Sequence, residues 1–206
     1  YLSEMTLIAI ECGGTIDKFI GDAIMIFFGD PETLGDEQDA LKCIDMALKM
    51  QKRIDELREY WNRSGVKGGL NVRIGISTGY CTVGNFGSNQ RMDYTALGSP
   101  VNLSARLQSI APNNEIILSD NTYNLINTKI KSEKFNEITP KGFARPVQTH
   151  KLIDFNMKDS ALIQKSYSKK GKHVDINVFD TSDIKAAIKE LKQIQIDFSK
   201  EIEEEK

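Results

Sequence analysis

Apolar residues in the first stretch of the chain fall at Leu2, Met5, Ile8 and Cys12, a helical spacing, and Gly13-Gly14 then stops the helix. The pattern changes at once. TIDKFIGDAIMIFFGD holds two β-rich runs joined at Gly21-Asp22, which predicts a hairpin with a tight turn. Over residues 36–63 the helical period returns. Leu41, Ile44, Leu48, Gln51, Ile54, Leu57 and Trp61 mark one face with a single polar interruption, and Asp36 or Asp39 can cap the start. After SGVKGG, the segment NVRIGISTGYCTVGNFG alternates Val72, Ile74 and Ile76 against Arg73 and Ser77, as a half-buried strand does. NFGSNQR reads as a loop and MDYTALG as the next strand.

Pro100, following Ser99, opens a helix over PVNLSARLQSIA. Val101, Leu103, Ala105 and Leu107 do not share one face, which implies a second packing surface or a partner. EIILSD reads as a short strand, DNTYNLI as a capped helix, and FNEITPKGFARPVQTHKLID as two strands joined across Lys141–Pro146. The order of elements predicts an α+β fold, one mostly antiparallel sheet with helices packed against it. Periodicity is lost over 156–172, where Lys and Ser accumulate, so a domain is expected over 1–155 and a C-terminal extension over 156–206. Within the extension HVDINVF suggests one more strand. Ile184, Ile188, Leu191, Phe198 and Ile202 set a heptad-like stripe on a helix over 182–205, with Gln195 at the missing position. That helix reads first as a cover for its own domain and second as a coiled coil.

Composition narrows the function. Hydrophobic residues make up 40% and charged residues 27%, ordinary globular usage that supplies a core. The net charge of −2 offers no basic excess for nucleic acid or an anionic membrane surface. The apolar runs are too short to span a bilayer, and no signal peptide is visible, so a cytoplasmic location is expected. Cys12, Cys43 and Cys81 lack CxxC spacing and read as reduced thiols. His150 and His173 are isolated, which argues against a His-based metal site. The chain begins at Tyr1 rather than Met and reads as a fragment of something longer.

Two segments carry candidate chemistry. In DKFIGDAIM, Lys18 and Asp22 bracket the end of a strand and its turn. A carboxylate at a hairpin tip can hold a hard divalent cation, because Mg²⁺ takes oxygen ligands and shares its other positions with water and phosphates. A plain Gly-Asp turn is the structural alternative. In MDYTALGSPVNLSARL, Asn102 and Arg106 stand four apart and so project together from one edge of a helix. The Arg fork matches phosphate oxygens, and an Asn amide can orient a ribose oxygen or a water.

Together GTIDKFIGDAIMIFFG, VRIGISTGYCTVGNFG and RMDYTALGSPVNLSARLQ, with the long helix between, closely resemble the class III nucleotidyl cyclase catalytic domain, of the adenylate cyclase type. The resemblance covers roughly residues 1–155 and joins several motifs. It implies a ferredoxin-like cyclase core and a lyase that makes a 3′,5′-cyclic nucleotide and pyrophosphate from a nucleoside triphosphate. It also implies two Mg²⁺ or Mn²⁺ ions and a head-to-tail homodimer with sites at the interface. By the family pattern Asp22 is the second metal-binding aspartate, Asn102 orients the ribose, and Arg106 stabilises the α-phosphoryl group in the transition state. Lys18 and Thr95 take the base-selecting positions, and Lys141 in TPKGFARP matches, more loosely, a lysine that contacts the terminal phosphates.

Base chemistry agrees with ATP as substrate. Adenine offers an acceptor at N1 and a donor at N6; Lys18 can only donate, and a Thr95 hydroxyl can accept. Guanine presents donors at N1 and N2 and would call for a carboxylate in place of Lys18. The family's first metal aspartate lies in a strand upstream of the first helix, and this sequence starts inside the helical region that follows, so that strand is expected before Tyr1. An upstream sensor or membrane segment is also compatible with the family. The competing readings are a non-catalytic, cyclase-like module that binds nucleotide or pairs with another chain, and a guanylate cyclase. A diguanylate cyclase is disfavoured, since no GGDEF-like turn occurs.

Overall fold

A computed structural model of the chain describes residues 1–65, 69–139, 145–156, 167–170, 175–178, 185 and 188–196. These divide into two compact units, Tyr1–Lys158 and Asp159–Lys206. In the first, the elements run α1 (Leu2–Glu11), β1 (Thr15–Ile20), β2 (Ala23–Phe27), α2 (Asp36–Arg63), β3 (Ile74–Ile76), β4 (Thr82–Ser88), β5 (Arg91–Leu97), α3 (Ser99–Ile110), β6 (Ile116–Ser119), α4 (Asp120–Ile126), β7 (Ile130–Ile138) and β8 (Val147–Phe155). The fold is α+β, as the pattern predicts. In the second unit β9 (Tyr167–Lys170) pairs antiparallel with β10 (Asp175–Val178), within HVDINVF, and residues 188–196 are helical. Of the heptad-like stripe, Ile184, Phe198 and Ile202 lie outside the described residues, while Ile188 and Leu191 are exposed.

The core is built around β6. Four strands lie in the order β3-β6-β8-β7, the β3–β6 pair parallel and the others antiparallel. Every residue of β6 is buried. Ile116 and Leu118 face one side, packing with Ile76 and Leu152 against Ala40, Leu41, Ile44 and Ala47 of α2. Ile117 faces the other, against Leu103 and Leu107 of α3 and Ala111 just beyond it. That alternation is the period of a strand buried on both sides. Helix α2 has a second apolar stripe, Met46, Met50 and Ile54, on Met5 and Ala9 of α1 and the adjoining Cys12. Methionines were not part of the single face predicted for α2; the helix is wedged between a sheet and another helix and needs two. Gln51, the polar interruption, donates its amide to the Asn114 carbonyl at 2.7 Å.

Two expectations need correction. Neither Asp36 nor Asp39 caps α2. Gly35 occupies the cap with no side-chain bond. Asp39 instead accepts from the Thr33 hydroxyl and the Leu34 N–H at 2.5 and 3.2 Å, holding the loop that leads into the helix. The segment NFGSNQR is not a loop either. Strand β4 continues through Ser88, which pairs with Arg91 across a two-residue turn. Gly87 sits so close to β5 that a Cβ there would lie 2.0 Å from the Arg91 carbonyl oxygen, which is why a glycine stands inside this strand. Among the described residues, no helix is long and apolar enough to cross a membrane.

Candidate active site

Helix α3 begins at Ser99 with Pro100 in its first turn, where a missing N–H costs nothing. Its inward face, Leu103 and Leu107, is buried on the sheet. Gly75 of β3 allows the close approach: a Cβ there would fall 2.2 Å from the Ser104 carbonyl oxygen and 2.3 Å from the Gln108 nitrogen. Both contacts are backbone, so neither can swing aside. The opposite face of α3 presents Asn102 and Arg106, both exposed, which line one open depression with Ala105 and Ser109. Ala105 thus faces the depression rather than a second core. A guanidinium and an amide standing side by side over small residues can bind phosphate and sugar oxygens.

The two hairpins build a second group. Strands β1 and β2 pair around Gly21-Asp22 as expected, with Ile20 opposite Ala23 and Gly21 at φ +63°. The register slips between Ile16 and Lys18, leaving Asp17 as a bulged residue. The Asp17 side chain is fully buried. Its Oδ2 accepts from the Thr95 hydroxyl at 2.6 Å and the Ala96 N–H at 3.1 Å, both on β5. Among the described residues its Oδ1 has no hydrogen-bond partner, but it lies 3.2 Å from Lys18 Nζ. One carboxylate therefore brings Lys18 and Thr95, far apart in sequence, to a single spot. Tyr94, next to Thr95, donates to Asp30 and lies tilted beside Phe27, with ring centroids 6.5 Å apart. The bond to Asp30 pushes its phenol pKa up, with burial adding to the rise.

Asp22 is exposed at the hairpin tip. Its charge is felt by Tyr1, whose phenol pKa is raised first by burial and then by this carboxylate. A hard oxygen ligand on an open turn suits one corner of a Mg²⁺ or Mn²⁺ site. Among the described residues no cluster of three or more His, Cys, Asp or Glu could complete such a site. Lys141 lies outside the described residues.

The structure sets Lys18 and Thr95 around one carboxylate and Asn102 and Arg106 in one depression, as candidates the sequence singles out, while Asp17 is not among them. The available signal was a carboxylate inside an otherwise apolar strand, beside the lysine. His150 is structural, as expected of an isolated histidine. It is buried, its Nε2 lies 2.9 Å from Asp120, and it stacks on Tyr123 at 3.8 Å.

The sequence profile of the Adenylate and Guanylate cyclase catalytic domain matches residues 14–155. The adenylyl cyclase CyaB from P. aeruginosa, known from its crystal structure, is 48% identical. That match covers 76% of this chain and 80% of that one, with a TM-score of 0.73. The guanylyl cyclase Cya2 is 31% identical over 78% of this chain and 80% of its own, with a TM-score of 0.70. An adenylate cyclase of Anabaena cylindrica is 36% identical over 113 residues, 53% of this chain and 21% of its own length. A terminal-differentiation specific adenylate cyclase of Dictyostelium discoideum is 29% identical over 160 residues, 75% of this chain and 7% of its own. The chain thus spans less than a quarter of the length of these two curated relatives.

Proposed function

The chain belongs to the adenylate and guanylate cyclase catalytic-domain family, and from that premise we propose that it is an adenylate cyclase, converting ATP to 3′,5′-cyclic AMP and pyrophosphate. The observation that carries the choice of base is the pairing of Lys18 with Thr95 around the Asp17 carboxylate. An ammonium can only donate, which suits adenine N1, and a hydroxyl can accept from adenine N6. CyaB, at 48% identity, is an adenylyl cyclase and supports the same reading.

In this reading the ribose 3′-oxygen attacks the α-phosphorus in line, the bond to the β-phosphate oxygen breaks, and the 3′-hydroxyl proton is released. Asn102 orients the ribose for that attack. Arg106, one turn further along the same face, holds the charge that gathers on the non-bridging oxygens; a guanidinium in that role contributes about 10³–10⁵ in rate. Lys141 would contact the terminal phosphates. Bound Mg²⁺ or Mn²⁺, two ions in this reading, would neutralise the triphosphate and acidify the 3′-hydroxyl, with Asp22 among the ligands. No protein nucleophile is required, which agrees with the structural role of His150.

The site is assembled between two copies in a head-to-tail homodimer, one lending Asp22 and the other Lys18, Thr95, Asn102 and Arg106. Phe19, Ile20, Met92 and Leu97, large apolar side chains on β1 and β5, are about half exposed or more and supply a surface for that pairing. The free thiols agree with a cytoplasmic catalytic domain. The test is cyclic nucleotide formation by the full-length protein, with Mn²⁺-ATP and Mn²⁺-GTP run in parallel. ATP is expected to be the better substrate by kcat/KM. A preference for GTP would favour the second reading, a guanylate cyclase, to which the likeness to Cya2 lends weight. No product from either would leave a nucleotide-binding or pairing module.

A further inference from the structure

A threonine hydroxyl is an ambiguous reader of a base. It carries one proton and two lone pairs, so it can accept from an amino group or donate to a carbonyl, and rotation about one bond interconverts the two. A lone hydroxyl therefore discriminates weakly between adenine, with N6–H₂ at the six position, and guanine, with O6. Here the rotation is blocked. Asp17 Oδ2 lies 2.6 Å from Thr95 Oγ1 and also accepts the Ala96 N–H. Its other oxygen faces the Lys18 ammonium. An ionised carboxylate only accepts, and its polar partners among the described residues (the Thr95 hydroxyl, the Ala96 N–H and the Lys18 ammonium) all present protons to it, so the single proton of Thr95 is committed inward. The lone pairs that remain can only accept.

We infer that Asp17 is a specificity-determining positioning residue: it fixes the Thr95 hydroxyl as an acceptor and keeps Lys18 beside it, so that a 6-amino purine is matched and a 6-keto purine is not. The inference rests on the base-reading roles proposed above for Lys18 and Thr95 and assigns Asp17 no contact with substrate. Three features point the same way. The side chain is fully buried, so water cannot substitute for it. It is the bulged residue of β1, and a bulge re-aims side chains at the cost of ladder pairing. Its Oδ1 lacks a hydrogen-bond partner in the described structure, leaving the Lys18 ammonium drawn toward it by charge but not locked by a directed bond. Lys18, with its side chain 41% exposed, is held near Thr95 and still free to reach N1.

The experiment measures kcat/KM for ATP and for GTP on the full-length protein and on Asp17→Ala, Asp17→Asn, Thr95→Val and Asp17→Ala/Thr95→Val. The ratio of the two substrates on one preparation cancels any misfolded fraction. Wild type is expected to prefer ATP, and Asp17→Ala to lose about tenfold of that preference, the worth of one hydrogen bond. The two losses should fall short of adding in the double variant, since part of the Asp17 effect acts through Thr95. Asp17→Asn is the rescue. Its carbonyl must face the Ala96 N–H and Thr95, which turns the amide NH₂ toward Lys18. The preference should stay within about threefold of wild type while the KM for ATP rises. An Asp17→Ala variant that keeps the wild-type preference would overturn the inference, as would fully additive losses in the double variant. Should Asp17→Ala yield no folded protein, Asp17→Asn decides alone: a ratio that collapses as it does in Thr95→Val overturns the account. A wild type without ATP preference sinks the base reading itself, an outcome visible before any Asp17 variant is compared.

Discussion

Strands β5 and β6 flank α3 in the chain, yet they are buried in opposite ways. All residues of β6 are buried, three of them isoleucine or leucine with no more than 1% exposure. In β5 only Thr95 and Ala96 are buried, and what covers them includes a carboxylate that reaches across from the bulge in β1. One strand is held by area removed from water, where each such side chain contributes roughly 1.5–3 kcal/mol. The other is paired along its length with β4, and its two buried residues are tied by directed polar bonds to Asp17. The first kind of burial tolerates many apolar residues and specifies little chemistry. The second specifies the orientation of individual protons and is intolerant of replacement. Helix α3 joins the two regimes, with Leu103 and Leu107 on Ile117 and its outward face carrying Asn102 and Arg106.

Substitutions should separate the two regimes, and their sizes can be ordered. Arg106→Ala removes an exposed charge from the outward face of α3. It is expected to lower kcat by about 10³-fold or more, with ATP affinity and melting temperature nearly unchanged. Equal loss of turnover and binding would place Arg106 in ground-state binding instead. Gly75→Val drives a side chain into the backbone of α3 and should destabilise the fold by about 3 kcal/mol, read as a shifted denaturant midpoint. Leu118→Ala, wholly within the buried regime, is expected to cost about 3 kcal/mol in the same measurement. Any activity it retains should show an unaltered preference between ATP and GTP. A change of preference would mean that packing and base choice are not separable. Phe19→Ser with Ile20→Ser alters only exposed residues of β1. Stability should move by less than about 0.5 kcal/mol, while self-association, followed by sedimentation, should weaken; unchanged association would remove the exposed face from the proposed interface.

The smallest effect concerns the thiols. Burial pushes the Cys12 pKa up to about 11, against a smaller opposing influence of Lys49. It pushes Cys43 up to about 12. Below those values both stay protonated and unreactive, since the thiolate is the nucleophile. In native protein at pH 8, iodoacetamide should label the exposed Cys81 first, with Cys12 and Cys43 reacting only on unfolding.

The regularity of the buried half is what made it readable from sequence. Apolar spacing located α1, α2, β6 and α4, and Gly21-Asp22 located the first hairpin, because each is a local pattern. The α2 cap aside, the misses fell where a partner strand decides. NFGS looks like a loop on its own and is a strand because β5 lies against it. Asp17 looks like one more charge because a bulge exists only relative to β2. That Asn102 and Arg106 share one edge of α3 was legible from their spacing, and Lys18 and Thr95 stand out as candidates from motif. The carboxylate between those two was not, since nothing in a linear reading brings residue 17 to residue 95.

The slip in β1 has one more result. A strand with one residue more than its neighbour carries that residue outside the ladder. Deleting Asp17 would leave Ile16 opposite Ile26 and Lys18 opposite Met25 in regular pairing, with no spare residue to reach across to Thr95. The carboxylate beside Thr95 therefore depends on the length of this strand as well as on its sequence.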